Sequence, residues 1–252
     1  MSLLTGAGQF VTFGLETARA FGRRPFQVRE LIQQAWFISS VSILPAALVS
    51  IPFGAVIALQ LGSLVRQLGA QSFTGAASVL AVVRESGPIV TALIIAGAGG
   101  SAICADLGAR KIREEIDAMR VLGIDPVQRL VVPRVIAAML VATLLNGLVS
   151  VVGVVGGYVF NVLVQGGTTG AYIASFQALG QLPDLVAGEI KALVFGAAAA
   201  LVASYKGLNA GGGPKGVGDA VNQGVVITFM LLFALNFLIT AIYFQVVPQK
   251  GG

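Results

Sequence analysis

PRVIAAMLVATLLNGLVSVVGVVGGYVFNVLV, residues 133–164, decides the class of fold. Beyond Arg134 the run carries no charge. A helix of about 20 apolar residues crosses the roughly 30 Å of hydrocarbon in a bilayer. This run is longer, so the helix it predicts must tilt or protrude.

Similar runs lie on both sides of it. They predict spans at 38–61, 77–102, 189–205 and 221–247, which with 133–164 makes five. The chain has 252 residues, 56% hydrophobic and 11% charged, against about 25% charged in soluble domains. Mean hydropathy is +0.88. The 33 glycines read as small residues for close helix packing in lipid. Pro45 and Pro52 predict a kinked first span. The expected fold is an all-α integral membrane protein, one domain over 1–252.

Residues 1–35 are too polar to span. Leu3, Leu4, Phe10, Phe13, Phe21 and Phe26 alternate with Arg19, Arg23, Arg24 and Arg29, which predicts an amphipathic helix at the interface. Trp36 follows as an aromatic anchor. No secretory signal pattern is evident.

Positive charge sets the expected topology. Arg19, Arg23, Arg24, Arg29, Arg110, Lys111, Arg113, Arg120, Arg129, Arg134, Lys206 and Lys215 fall on one side of five spans. Arg66, Lys191 and Lys250 fall on the other, with Arg84 near its edge. The N-terminus is therefore expected in the cytoplasm and the C-terminus outside. No internal repeat is visible. An odd span count does not divide into inverted halves, which favours a half-transporter over a single-chain carrier.

Several chemistries are excluded. There is no histidine, so no Ser-His-Asp triad and no HExxH metal site. The single cysteine, Cys104, forms no intramolecular disulfide. Residues 97–102, GAGGSA, match a dinucleotide fingerprint without its βαβ context and read as helix packing. GGGPKG at 211–216 lacks the P-loop spacing. No catalytic residue, bound cofactor or metal is expected on this chain.

The most charged stretch, 105–132, contains GARKIREEIDAMRVLGIDPVQRL at 108–130. Ile112, Ile116, Met119 and Leu122 fall on one helical face. Arg110–Glu114, Lys111–Glu115 and Arg113–Asp117 are spaced as i,i+4 ion pairs. Gly123 stops the helix, and Asp125-Pro126 with Gln128 starts the next. The segment reads either as a solvated loop helix or as a docking helix for a cytoplasmic partner.

This segment, ESGPIVTALIIAGAGGSAICADLG before it (85–108), LVVPRV after it (130–135) and YKGLNAGGGPKGVGDAVN (205–222) resemble the MlaE/YrbE permease family. The resemblance covers nearly the whole chain. ICADLGARKIREEIDAMRVLGIDP is most similar to A-type YrbE subunits of mycobacterial Mce (mammalian cell entry) systems. The resemblance implies a dimeric permease in the bacterial plasma membrane, and in Mce systems a heterodimer of two different YrbE chains, with a homodimer as the alternative. It implies two ATPase subunits, which carry the ATP and Mg, and MCE-domain proteins that deliver lipid such as fatty acids or sterols. It places the family's coupling helix on Ala109–Leu122. The ATPase-coupling residues are then Arg110, Lys111, Arg113, Glu114, Glu115, Asp117, Met119 and Leu122.

Arg84 and Glu85 stand near one edge of the second span. They read either as interfacial charges that snorkel or as a headgroup site, Arg84 holding the anion and Glu85 neutralising it when empty. Gly87-Pro88 beside them breaks the helix and frees backbone groups. Leu59, Val83, Phe229, Phe233 and Phe237 are the candidate apolar lining. Asp184, Glu189 and Lys191 read as an ordinary interfacial cluster or a contact for an external partner. Asn146 and Asn236 read as inter-helix hydrogen bonds. The competing function is an ion-coupled secondary carrier with Glu85 as its ion site. An intramembrane enzyme lacks the clustered nucleophile or metal site it would need.

Overall fold

The computed structural model describes residues 3–23, 27–69, 73–164, 166–179 and 182–246. Arg24, Phe26 and Lys250 lie outside them, and so do the side chains of Leu3, Leu4 and Arg66. The described residues are helical, with no strand among them. Five helical stretches are long and apolar enough to span a membrane.

Helix α1, Leu3–Ala20, precedes the spans. The first span is α2, Val28–Gln67. The second is one continuous run: α3 Thr74–Ala81, a π-helical turn Val82–Ser86, α4 Gly87–Ile94, a second π turn Ile95–Gly100, and α5 Ser101–Ile112. Helix α6, Glu115–Val121, follows. A π turn at Val127–Val131 leads into α7, Val132–Leu163. Helices α8 (Thr169–Leu179), α9 (Leu182–Leu208) and α10 (Gly213–Val246) complete the chain.

The boundaries of several spans differ from the sequence reading. First, the interfacial segment ends at Ala20, and Val28–Trp36 is the first part of α2. Its acid is not wasted on solvent, because Glu30 lies 3.4 Å from the buried Arg134. Second, α9 begins seven residues before the expected Glu189, because the charges at its start have partners inside the protein. Third, α10 starts at Gly213, eight residues before the expected 221, so 213–218 is helix and not loop; Pro45 and Pro52 lie inside α2.

The residues group into two compact units: 1–42, 93–141 and 194–235 in the first, 43–92, 142–193 and 236–252 in the second. The first unit is built on Ile38, Ile95, Ile103, Leu107, Ile116, Val131 and Val202, all essentially sealed from solvent. The GAGGSA stretch packs here as expected. A Cβ on Gly99 would lie 3.2 Å from Ile38, and one on Gly100 would lie 3.8 Å from the Ala203 Cβ. Arg134 is fully buried in this core. It donates to the Leu130 carbonyl at 2.7 Å and to Asp106 at 2.5 Å, so its charge is balanced where it sits.

The second unit depends on a close crossing of α2 and α7. A Cβ on Gly54 would overlap the Gly153 carbonyl oxygen and lie 2.7 Å from its carbon. A Cβ on Gly156 would lie 2.9 Å from the Ile51 carbonyl. The two backbones touch, which is the packing small residues make possible in a membrane. Tyr158 and Tyr172 meet edge-to-face at 5.5 Å, and Tyr158 shares a hydrogen bond of 3.0 Å with Thr169. These contacts hold α8 on α7, and burial pushes the Tyr172 phenol up to about 12.

Candidate functional site

The first unit carries the charged segment. The expected continuous helix over Ala109–Leu122 is broken: α5 ends at Ile112 and α6 starts at Glu115. Glu114 between them adopts φ 60°, a left-handed conformation that disfavours any side chain. Glu114→Gly is therefore expected to raise the Tm of the purified protein, and Glu114→Val to lower it. The difference should amount to about 1–2 kcal/mol.

The break moves every ion pair off its expected register. Arg110–Glu114, Lys111–Glu115 and Arg113–Asp117 are replaced by Arg110–Asp106 at 3.3 Å, Lys111–Asp117 at 2.7 Å and Arg113–Glu115 at 2.7 Å. Arg110 also reaches Glu115 at 3.7 Å. The Lys111 hydrogen bond holds the Asp117 carboxyl below the usual carboxylate range, so it is charged at neutral pH. The single apolar face is divided too. Ile116 is buried, Met119 is half-buried, and Ile112 and Leu122 are exposed.

Gly123 and Asp125 mark the two ends where the sequence reading has them. Gly123 takes φ 73° and closes a Schellman motif, with Gly123 N donating to Arg120 O and Ile124 N to Met119 O. Asp125 Oδ1 accepts from Val127 N at 2.9 Å, capping the next helix behind Pro126. Asp125→Ala is expected to cost about 1 kcal/mol, read as a lowered Tm. The outcome is an ion-paired tip on which Val121 and Leu122 are 88% and 74% exposed. Beside it lies a groove of about 720 Å³ between α1 (Gln9, Thr12, Glu16), Arg120 and Asp125, Tyr205 of α9, and Asn209 just after it.

The second unit holds the charges of the second span. Pro88 has no N–H to give to the carbonyl four residues back, which is that of Arg84. The helix does not break there. It widens into the π turn Val82–Ser86, in which Gly87 N bonds to Val82 O. The freed Arg84 carbonyl accepts from Lys191 Nζ at 3.0 Å. The same Nζ pairs with Glu85 Oε1 at 2.8 Å, and the Lys191 side chain is only 1% exposed.

Arg84 and Glu85 do not neutralise one another, as the sequence reading had them. Arg84 Nε donates to Asp184 Oδ1 at 3.0 Å, and its guanidinium lies over Tyr243 and Phe244 at 5.0 and 5.6 Å. Tyr243 also donates to Asp184. Glu85 takes Lys191, with Asn236 at 3.4 Å and Thr240 at 3.3 Å. Asp184 and Lys191 are thus working members of a buried network, not a loose interfacial cluster. Nothing in the sequence pairs them, since Asp184 lies 100 residues from Arg84 and Lys191 lies 106 from Glu85.

Asn146 and Asn236 make the inter-helix hydrogen bonds expected of them, Asn146 to Glu189 Oε1 at 3.0 Å. A cavity of about 600 Å³ is bounded by Val79, Val83, Asn146, Val154, Asp184 and Glu189, among others. Of the expected apolar lining only Val83 borders it. Leu59 and Phe237 are exposed, and Phe229 and Phe233 belong to the first unit. Gly87 is tight against this region. A Cβ there would lie 2.8 Å from Ser150 Oγ and 3.2 Å from Asn146 Oδ1.

Comparison with known proteins gives this geometry its setting. The profile of the family "Permease MlaE" matches residues 31–242. A Rickettsia bellii protein named "Probable ABC transporter permease protein" is 34% identical over 245 residues, covering 97% of this chain and 94% of its own. The Haemophilus influenzae "Intermembrane phospholipid transport system permease protein MlaE" is 29% identical, covering 95% and 91%. The Arabidopsis thaliana chloroplast protein TRIGALACTOSYLDIACYLGLYCEROL 1 is 33% identical over 179 residues, covering 71% of this chain and 51% of its own. The chain belongs to the MlaE family of membrane permeases.

Proposed function

We propose that this chain is the membrane-spanning subunit of an ABC-type transporter that moves lipid. The observation that carries the reading is the family match along nearly the whole chain, joined to an exposed, ion-pair-clamped tip at Glu115–Leu122. The chain itself has no nucleotide-binding loop, so the motor is a separate ATPase that carries ATP and Mg. The tip and its residues Arg110, Lys111, Arg113, Glu114, Glu115, Asp117, Met119 and Leu122 dock that ATPase on the cytoplasmic side. The N-terminus is cytoplasmic and the C-terminus external. A second permease chain completes the transporter, and Mce-type proteins deliver lipids such as fatty acids or sterols for import, as in mycobacterial systems. Only 11% of the apolar stretch of α10 is buried within the chain, which leaves it open to lipid or to a second permease chain.

The network of Arg84, Glu85, Asp184 and Lys191 is the lipid-handling device in this reading. Arg84 is held by Asp184 until an anionic headgroup competes for it. The ion-coupled carrier reading wanted a free intramembrane acid at Glu85, and that acid is already paired with Lys191.

Purification of the tagged chain from its native membrane in mild detergent tests this. An ATPase and ATP hydrolysis are expected in the preparation. Val121→Asp with Leu122→Asp should lose the ATPase while shifting stability by no more than about 0.5 kcal/mol, as exposed substitutions do. A wild-type chain that emerges alone and inactive even after crosslinking would overturn the reading.

A further inference from the structure

In the first unit, Arg134 joins three spans through one side chain. It stands in the first turn of α7, and its Nη1 donates to the Leu130 carbonyl at 2.7 Å. Its Nη2 lies 2.5 Å from Asp106 of α5 and 3.4 Å from Glu30 of α2. A single nitrogen therefore bridges carboxylates of the first and second spans from the start of the third. The Arg134 side chain is fully buried, while those of Glu30 and Asp106 are 25% and 34% exposed.

The bridge continues to the tip. Asp106 also takes Arg110 at 3.3 Å, and Arg110 reaches Glu115 of α6 at 3.7 Å. Signs alternate along Glu115, Arg110, Asp106, Arg134 and Glu30, so each inner member has an opposite charge on either side. Helices α5 and α7 run into the tip through the backbone. Helix α2 does not. Among the described residues its side is tied there by Arg23–Asp125 at 3.2 Å and by Glu30 through Arg134. The Arg23–Asp125 pair lies in water and holds little.

Stability does not account for this arrangement. A buried ion pair is often no more stable than apolar residues of similar volume. Arg134 Nε is also buried with no hydrogen-bond partner among the described residues, which is a further cost. What a buried fork supplies is direction. Ile38 of α2 packs on the second span as well, 3.2 Å from where a Cβ on Gly99 would lie. Apolar contact is non-directional, and helices packed that way can slide.

We propose that Arg134 is a positioning residue of the transport cycle, the one that makes the first span follow the tip when the ATPase moves it. The proposal rests on the ATP-driven permease reading. Displacing α6 pulls Arg110 and Asp106, and the fork carries the displacement to Glu30 of α2. Docking itself does not use Arg134, whose side chain is closed to any partner. ATP hydrolysis and lipid movement are therefore separable at this residue.

The test uses the complex purified through this chain and reconstituted in vesicles with fluorescent phospholipid. Lipid transferred and ATP hydrolysed are measured together, below the Tm of each variant. Glu30→Gln cuts the link to the first span and leaves Arg134 with Asp106. Arg134→Met removes the whole fork and leaves Asp106 with Arg110 and Glu30 with Gln34. In both, the ATPase is expected to co-purify and to hydrolyse ATP at close to the wild-type rate. Lipid moved per ATP is expected to fall about tenfold, an ordinary size for coupling between sites. The double variant should be no worse than Arg134→Met, since both changes break one link. A purely structural Arg134 would lower transfer and hydrolysis together and leave their ratio intact, and that result overturns the proposal. An unchanged ratio in Glu30→Gln does the same, and it decides alone if Arg134→Met fails to fold. Additive losses in the double variant also overturn it. In each of these cases a wild-type complex that transfers lipid with ATP leaves the permease reading standing. A wild-type complex without ATP-dependent transfer overturns that reading and this proposal with it.

Discussion

Gly54→Val is expected to abolish recovery of folded protein, and Gly54→Ala to lower its Tm sharply. The clash at Gly54 is with backbone, the carbonyl of Gly153, so no side-chain rotamer relieves it. Overpacking a tight core costs roughly 1–3 kcal/mol when side chains can shift. Here a whole helix must move, and the cost should reach the top of that range or pass it. Gly97→Ala is the matched control, because a Cβ at Gly97 meets nothing within 4 Å. Fluorescence-detected size exclusion and thermal melts of the three variants decide it. Gly54→Val protein that behaves like wild type would mean that α2 and α7 do not cross this closely.

Lys191→Met should be the most damaging change in the charged network. It strands the Glu85 carboxylate and the Arg84 carbonyl that Pro88 has already freed. Removing one partner of a buried ion pair costs about 3–5 kcal/mol. Glu85 keeps Asn236 and Thr240, and its side chain is 34% exposed, so the lower end is expected. Adding Glu85→Gln should recover part of the loss, since it removes the stranded charge. A double-mutant cycle measures this directly. Strictly additive effects of the two changes would show that Lys191 and Glu85 do not act as a pair.

The spans were legible because hydropathy answers to the bilayer. Their ends were not. Val28–Trp36 continues the first span although it is polar, because Glu30 is tied to Arg134 by a contact that bridges distant sequence. Leu182–Gly188 was missed for the same reason, its Asp184 being paired with Arg84. Local chemistry was readable where it is local: the Gly123 stop, the Asp125 cap and the disturbance at Gly87-Pro88 all stand where the residues put them. Glu114 was unreadable, since a left-handed glutamate has no mark in sequence, and with it went the register of the ion pairs around it. The choice of Asp184 for Arg84 and Lys191 for Glu85 is a matter of tertiary geometry. Sequence reasoning found the two charges of the second span and had no means to find their partners.

The central claim is that lipid moves through this chain at the expense of ATP hydrolysed by a partner docked on the Glu115–Leu122 tip. The complex purified through this chain, reconstituted in vesicles with fluorescent phospholipid, tests it most directly. The account predicts lipid transfer that requires hydrolysable ATP and is lost in Val121→Asp with Leu122→Asp. Transfer that proceeds without ATP and follows an imposed ion gradient would contradict it.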